Sequence, residues 1–318
     1  MNQGQVDLLN SALPANQVSD LGGNLKKALD QFNVRDHDLV RYVDKSVTNT
    51  GNGKTRSTAF KRFYEGIEWL NSNSGKGATL IVIPGFYIEA ASNIAALSAS
   101  DCMIKGIGNP DDTVIFGSGT DDTVDAATDD LLTVSGGNNV IDGLSLFVYK
   151  NTKSALLTDD TGGGYAGSFN LFSRLFFSRQ AADGQKYGVN MQGGNYNTFL
   201  NCWWTGSCKD AGVYIASNAG NPSYNRFLNC WFNGTGTDGI LIGASAAYNH
   251  LVSECIFQAG SYPTGGADSM TNGVHVNASC TAGDIIVANS IFSQAAAAAL
   301  KDASGGTFSY LDRNNSTG

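Results

Sequence analysis

Charged side chains are scarce, 15% of the 318 residues, and histidine is rarer still, with three. The 20 Lys and Arg are outnumbered by 28 Asp and Glu, and no basic cluster exists to displace counterions from a phosphate backbone, so nucleic acid is excluded as the expected partner. The net charge of −8 reads as a solubility feature. No apolar stretch approaches the roughly 20 residues that cross a bilayer, so membrane insertion is not expected. No charged–apolar–small leader opens the sequence, and synthesis in a cytoplasm is the expectation. The six cysteines (Cys102, Cys202, Cys208, Cys230, Cys255, Cys280) form no CxxC pair and read as buried free thiols acting as small apolar residues. There is no Gly-x-Ser-x-Gly elbow, and the Gly162-Gly163-Gly164 run matches neither a P-loop nor a dinucleotide fingerprint; it reads as a turn.

What is abundant is glycine, 39 residues, with much Asn, Ser and Thr and a hydrophobic share of 42%. That mixture suits short strands joined by tight turns, with ample apolar surface to bury. Residues 1–50 look different. Leu25, Ala28, Leu29 and Phe32 follow helical spacing behind Asn24 as N-cap, and a second helical pattern runs through Leu39, Val40, Val43 and Val47. So short a segment has little core of its own, so it is expected to pack on a partner subunit or on the first coil of the next domain. Residues 51–77 are expected to hold the end of a linker (48–56) and one amphipathic helix from Ser57 to Leu70, marked by Phe60, Phe63, Ile67 and Leu70 and capped by Ser57 or Thr58. After a glycine-rich break, Thr79 to Ile83 reads as a buried strand stopped by Pro84-Gly85.

From 78 to 318 the sequence repeats. The segments FLNCWWTG, FLNCWFNG, VSECIFQA and VANSIFSQ align on Trp204, Phe232, Phe257 and Phe292, and Phe176 and Phe147 extend the column backwards at intervals of 29, 28, 28, 25 and 35 residues. A second column runs through Gly188-Val189, Gly212-Val213, Gly239-Ile240 and Gly273-Val274. Repeats this short cannot bury an apolar face alone and must stack on their neighbours. In a parallel β-helix each coil adds one rung, about 4.8 Å from the last, so like residues form ladders. The pattern therefore predicts an aromatic ladder and, three residues earlier, an amide ladder of Asn201, Asn229 and Asn289 interrupted by Glu254. Cys202, Cys230 and Cys255 would stack without the geometry for disulfides. The longest gap, Gln258 to Asn272, is expected to bulge outward as a loop.

The entry into these repeats carries a resemblance. A helix, a break containing Gly75 and Gly77, and a strand ending Ile83-Pro84-Gly85-Phe86-Tyr87, then Cys102–Gly108 and Thr113-Val114-Ile115, are similar to the pectin-lyase-like β-helix proteins, in particular the phage tailspike branch. One residue of the usual Pro-x-Gly spacing is missing between Pro84 and Gly85. The resemblance spans about Ser57 to Phe308. It implies an all-β, right-handed parallel β-helix with a short α-helical N-terminal segment and a capping helix. It also implies a homotrimeric virion surface spike, made in the host cytoplasm and attached to other virion proteins through residues 1–50, with host surface polysaccharide as its ligand. The chain ends soon after its last coil, which suits a short spike decorating a capsid.

Few residues offer chemistry. Glycosidic hydrolysis needs two flanking carboxylates. Asp210 and Asp238 precede second-column glycines in adjacent rungs, with Glu254 one rung on, although Asp-Gly pairs also simply make turns. The alternative to an adhesion spike is thus a polysaccharide hydrolase or lyase using such a pair. The acidic stretch Asp121-Asp122, Asp125, Asp129-Asp130 lacks the alternation of a calcium loop; no cofactor is expected, with a weak calcium site as the alternative. His250 and His275 fall in different columns and form no metal pair. Trp203 and Trp231 immediately precede ladder aromatics, so alternation turns them outward, where with Tyr214 they would form a flat strip for a sugar ring or a neighbouring subunit.

Overall fold

The computed structural model describes residues 39–318 apart from 151, 160–165, 179–184, 207, 217–221, 244–245, 259–269, 281, 294–297, 305–307, 314–315 and 318. The helical expectation at 24–32, the Gly162–Gly164 turn and most of the loop expected at 258–272 lie outside the described residues. The rest winds as a parallel β-helix of three faces. Sheet 1 has ten strands, sheet 2 nine and sheet 3 seven among the described residues, and within each sheet successive coils are neighbours. One coil runs Leu171–Ser173 in sheet 1, Phe176–Ser178 in sheet 2 and Tyr187–Met191 in sheet 3; the next runs Thr198–Leu200, Trp203–Thr205, Ala211–Ile215, and every paired residue is in parallel register.

Each sheet sends one row of side chains inward. In sheet 2 the row ends in stacked rings: Phe177, Trp204, Phe232, Phe257 and Phe292, with centroids 5.0, 4.5, 4.6 and 4.7 Å apart. The expected ladder is present, but its first two members shift by one residue. Phe177, not Phe176, pairs with Trp204, and Leu146, not Phe147, precedes it. With two adjacent phenylalanines the spacing does not say which enters, and a one-residue slip sends each side chain to the opposite face. Sheet 1 holds a second ladder that the repeats did not announce, Phe172, Phe199 and Phe227, stacked at 4.6 and 5.0 Å. Sheet 3 contributes aliphatics, Val189, Val213, Ile240 and Val274 in register, as the second column predicts. The glycines before them have a packing reason. A Cβ at Gly188 would lie 2.5 Å from the Trp204 ring of the next coil, and one at Gly239 would lie 2.7 Å from Phe257. All six cysteines are free and buried, and burial pushes the Cys230 and Cys255 thiols up.

Both bends that flank sheet 1 use left-handed backbone. Leaving the sheet, the positions are Gly143, Arg174, Asn201, Asn229, Glu254 and Asn289, with φ between 49° and 72°. The amide ladder expected there is thus a bend column, in which Asn229 Nδ2 donates to Asn201 Oδ1 at 2.7 Å. Glu254 substitutes in it as another bend residue. Entering the sheet, the left-handed positions are Asp101, Asn138, Phe169, Tyr196, Tyr224 and Asn249. One residue later comes a buried asparagine column, Asn139, Asn170, Asn197 and Asn225. Asn139 N donates to Asn170 Oδ1, Asn170 N to Asn197 Oδ1 and Asn197 N to Asn225 Oδ1, at 2.9, 2.9 and 2.8 Å. Their Nδ2 groups donate to the carbonyls of Ala99, Gly136, Gly167 and Gly194 at 2.8 to 3.2 Å. Each carboxamide therefore satisfies two backbone groups of the preceding coil at a corner where strand pairing cannot reach.

The N-terminal end differs from expectation in two ways. The helix is Phe63–Asn71, shorter than the predicted 57–70, because Phe60 is extended and bridges Val43, while residues 56–58 form a separate 3-10 turn behind Thr55. Its first N–H groups are met by carboxylates: Glu65 accepts from Arg62 N and buried Glu89 from Phe63 N, both at 3.0 Å. The helix buries Phe63, Gly66, Ile67 and Leu70. The pattern through Leu39, Val40, Val43 and Val47 is not helical but a strand, Val40–Val43. Tyr42 N bonds Gly53 O, Phe60 N bonds Tyr42 O, and Ile83 N bonds Val43 O, at 2.8, 2.8 and 2.9 Å, which draws the expected linker into the edge of sheet 1. So short an apolar run fits either period, and tertiary pairing decides.

Two substitutions probe the asparagine corner and the glycine recess. Asn197→Ala strands Asn170 N–H and Gly167 C=O in the interior, and should cost about 3 kcal/mol, read as a lowered denaturation midpoint. Gly239→Ala forces a methyl against the Phe257 ring and should cost about 1–3 kcal/mol by the same measurement, although alanine is otherwise the better strand residue.

Candidate functional site

The outward row of sheet 2 runs in register through Ser145, Phe176, Trp203, Trp231, Ile256 and Ile291. Alternation along strands of three residues puts these side chains opposite the ring ladder. Trp203 is 45% exposed and stands edge-on to Phe176, at 6.2 Å and 88°. With Trp231 they border a groove of about 230 Å³, whose other walls are Thr205, Asn233 and the turn residues Pro110 and Asp111. Ser145 Oγ holds that turn by donating to Pro110 O at 3.0 Å. Thr205 Oγ1, Trp231 Nε1 and Asn233 Oδ1 are buried without a hydrogen-bond partner among the described residues. These atoms lie beneath the groove's surface, while its accessible lining is the rings of Phe176, Trp203 and Trp231 with Thr205, Asn233 and Asp111. Aromatic rings bordered by polar residues suit a sugar ring, apolar on its faces and hydroxylated at its edge. Trp203 and Trp231 thus lie together, as the sequence placed them. Tyr214 does not join them: it belongs to sheet 3, in register with Asn190 and Leu241, and stacks on Tyr187 at 4.6 Å. Thr205, Asn233 and the Pro110–Asp111 turn, which complete the groove, carry no sequence signal of that role.

The carboxylates are otherwise employed. Asp238 is 3% exposed, accepting from Asn272 Nδ2 at 2.6 Å and facing His275 Nδ1 at 3.1 Å. Asp210 sits one residue out of register with it, since Asp238 pairs with Ala211, and lies 3.8 Å from Lys186. Glu254 occupies a bend leaving sheet 1. The acidic loop is structural as well. Asp125 gathers Ser118 Oγ, Gly119 N and Thr120 N at 2.5, 2.8 and 2.9 Å, Asp121 caps Ala90 N, and Asp122 pairs with Arg62. No cluster of three or more metal-ligating side chains exists among the described residues.

Two buried groups have pKa values moved into the range between pH 4 and 7. His250 stands opposite Asn225 in sheet 1, where the asparagine column would continue, and burial lowers its pKa to about 4. Glu89, beneath the capping helix, is raised to about 7 by burial.

No family model matches the chain, and no curated protein is similar to it in sequence. Among solved structures it is similar to a pectin methylesterase from carrot, with TM-score 0.55 and 14% identity over 87% of this chain and 82% of that one. It is similar also to an alginate lyase from Paenibacillus sp. str. FPU-7, with TM-score 0.55 and 14% identity over 78% and 93%. The shared element is the fold, a right-handed parallel β-helix. The ORF18 protein of Geobacillus virus E2 is matched at TM-score 0.49 and 10% identity over 96% of this chain and 64% of that one. At these identities the likeness concerns how the β-helix winds, and the groove is a property of this chain's own outer row.

The buried titrations give opposed pH dependences. His250, depressed in the folded state from 6.5 to about 4, contributes stability that is full above pH 6.5 and lost as pH falls towards 4. Glu89, raised from 4.5 to about 7, contributes stability that is full below pH 4.5 and lost as pH rises through 7. His250→Asn should therefore gain on the parent between pH 6.5 and 4, by up to about 3 kcal/mol, and Glu89→Gln should gain on it between pH 4.5 and 7. Denaturation midpoints measured across pH 4–8 check both signs.

Proposed function

We propose that this chain is a virion surface spike whose β-helix binds host-envelope glycan through the groove of Phe176, Trp203 and Trp231 without cleaving it. The observation that carries the reading is the groove itself, in which half-exposed Trp203 stands edge-on to Phe176 and both rings, with Trp231, face Thr205, Asn233 and Asp111. The resemblance of the entry region to the tailspike branch supplies the virion context, and two similar solved structures carry polysaccharide-acting names, a pectin methylesterase and an alginate lyase. In this reading the molecule is a homotrimer, residues 1–50 attach it to other virion proteins, and no cofactor takes part. The lower outward row, where Ile256 and Ile291 are 40% and 44% exposed, supports subunit contact beside the groove.

The depolymerase reading has less behind it. A hydrolytic pair needs one carboxylate to donate a proton and the other to face the sugar or its attacking water. Asp238 is enclosed by Asn272 and His275, and Asp210 faces Lys186.

In binding assays on polysaccharide from candidate host envelopes, Trp203→Ala should weaken affinity tenfold or more, about 1.4 kcal/mol, with the fold retained. The same material, assayed for new reducing ends, should show no release by the parent. Sustained release abolished by Asp238→Asn would instead make the protein a depolymerase.

A further inference from the structure

A second surface, at the corner where the chain enters sheet 1, has the features of a ligand platform. Phe169, Tyr196 and Tyr224 stack there on successive coils, with centroids 4.9 and 4.7 Å apart and planes within 2° and 7°. Unlike the interior ladders this stack lies outside, with the three rings 45%, 41% and 42% exposed. All three residues have left-handed backbone, φ 58° to 60°. Asparagine and aspartate adopt that conformation readily and bulky residues do not. Elsewhere in the column the occupants are Asp101, Asn138 and Asn249, the residues that folding alone favours. Three aromatics in succession, strained and exposed, thus oppose folding preference and call for another role.

The stack continues into a groove of about 470 Å³ that begins at Phe169 and is lined by Ser98, Ser100, Ser135, Asn138 and the backbone of Gly136 and Gly137. No charged side chain lines it, and Asp101 stands beside it in the same column. An apolar protein surface would suit the rings but not the hydroxyls, and a polyanion would meet Asp101 while no cation lines the groove. A chain of neutral sugars suits both parts, with ring faces on the aromatics and hydroxyls towards the serines.

We infer that the Phe169–Tyr196–Tyr224 stack and the adjoining serine groove bind a neutral polysaccharide, laid along the axis of the β-helix. This extends the glycan-binding reading to a surface separate from the tryptophan groove.

The test is affinity electrophoresis of the full chain in gels containing a neutral polymer (dextran, glucomannan or galactomannan) or a polyuronate (alginate or polygalacturonate). The parent, Tyr196→Asn/Tyr224→Asn and Trp203→Ala are compared, with thermal midpoints measured alongside. The parent should be retarded in a neutral gel. The asparagine pair should lose about tenfold or more in affinity while its midpoint holds within about 2 °C or rises, since asparagine suits the backbone better. Retardation unchanged in the asparagine pair overturns the inference; if Trp203→Ala then abolishes it, the tryptophan groove alone binds glycan. Retardation lost in the asparagine pair but untouched by Trp203→Ala supports the corner platform and sinks the groove reading instead. A midpoint lowered by more than about 5 °C in the asparagine pair makes the stack a structural one and overturns the inference. So does retardation confined to polyuronate gels, or none in any neutral gel.

Discussion

A buried carboxamide reaching back one coil is the contact on which the remainder depends. Strand pairing joins coils along the three faces, but at the corner between sheets 3 and 1 the backbone turns through a left-handed residue and its polar groups point inward. Asn139, Asn170, Asn197 and Asn225 meet those groups with both ends of the side chain. Once that corner is fixed, Phe172, Phe199 and Phe227, two residues further on from the last three of these asparagines, fall into register, and the sheet 2 rings take their place from the second left-handed bend. Packing and hydrogen bonding specify the same register, so neither works against the other.

The architecture was legible because one column, Trp204, Phe232, Phe257 and Phe292, recurs with flanking residues so alike that alignment needs no structure. The outward direction of Trp203 and Trp231 came from it by alternation. Legibility failed where the local signal was ambiguous. Phe176-Phe177 offers two rings to one place, and the chain between Leu39 and Val47 is too short to show a period. The asparagine column has no signature of its own, because polar residues abound in the bends and buried and exposed asparagines look alike in the sequence. Tyr214 follows Trp203 closely in the sequence yet belongs with the second column, which is sheet 3. The groove is completed by Thr205, Asn233 and the Pro110–Asp111 turn, which meet the tryptophans only in three dimensions.

The interior and the exterior obey different rules. Inside, like residues stack over runs of coils, Phe172 to Phe227, Phe177 to Phe292 and Asn139 to Asn225, since stacked rings and amides gain from likeness. Outside, the rows change character along the axis: in sheet 2 aromatic residues give way to isoleucines, and at the sheet 1 corner asparagine gives way to phenylalanine and tyrosine and then returns. Variation confined to outward positions leaves the scaffold untouched, and it is there that a solenoid can acquire a binding specificity. The carboxylates, by contrast, are mostly drawn inward or into loops as caps and pairs, which accounts for an acidic chain with so few acids free for chemistry.

The direction of the asparagine bonds gives the solenoid a polarity. Each carboxamide belongs to the later coil and grips the earlier one, so a newly formed coil brings its own clamp to a surface already in place. The glycines add a matching recess, since the ring of the later coil presses on the glycine of the earlier. An insertion or deletion therefore keeps both kinds of contact in register only if it spans a whole coil. A fragment ending between coils at the far end keeps every clamp it has made, whereas one beginning there starts with an amide that has nothing to hold.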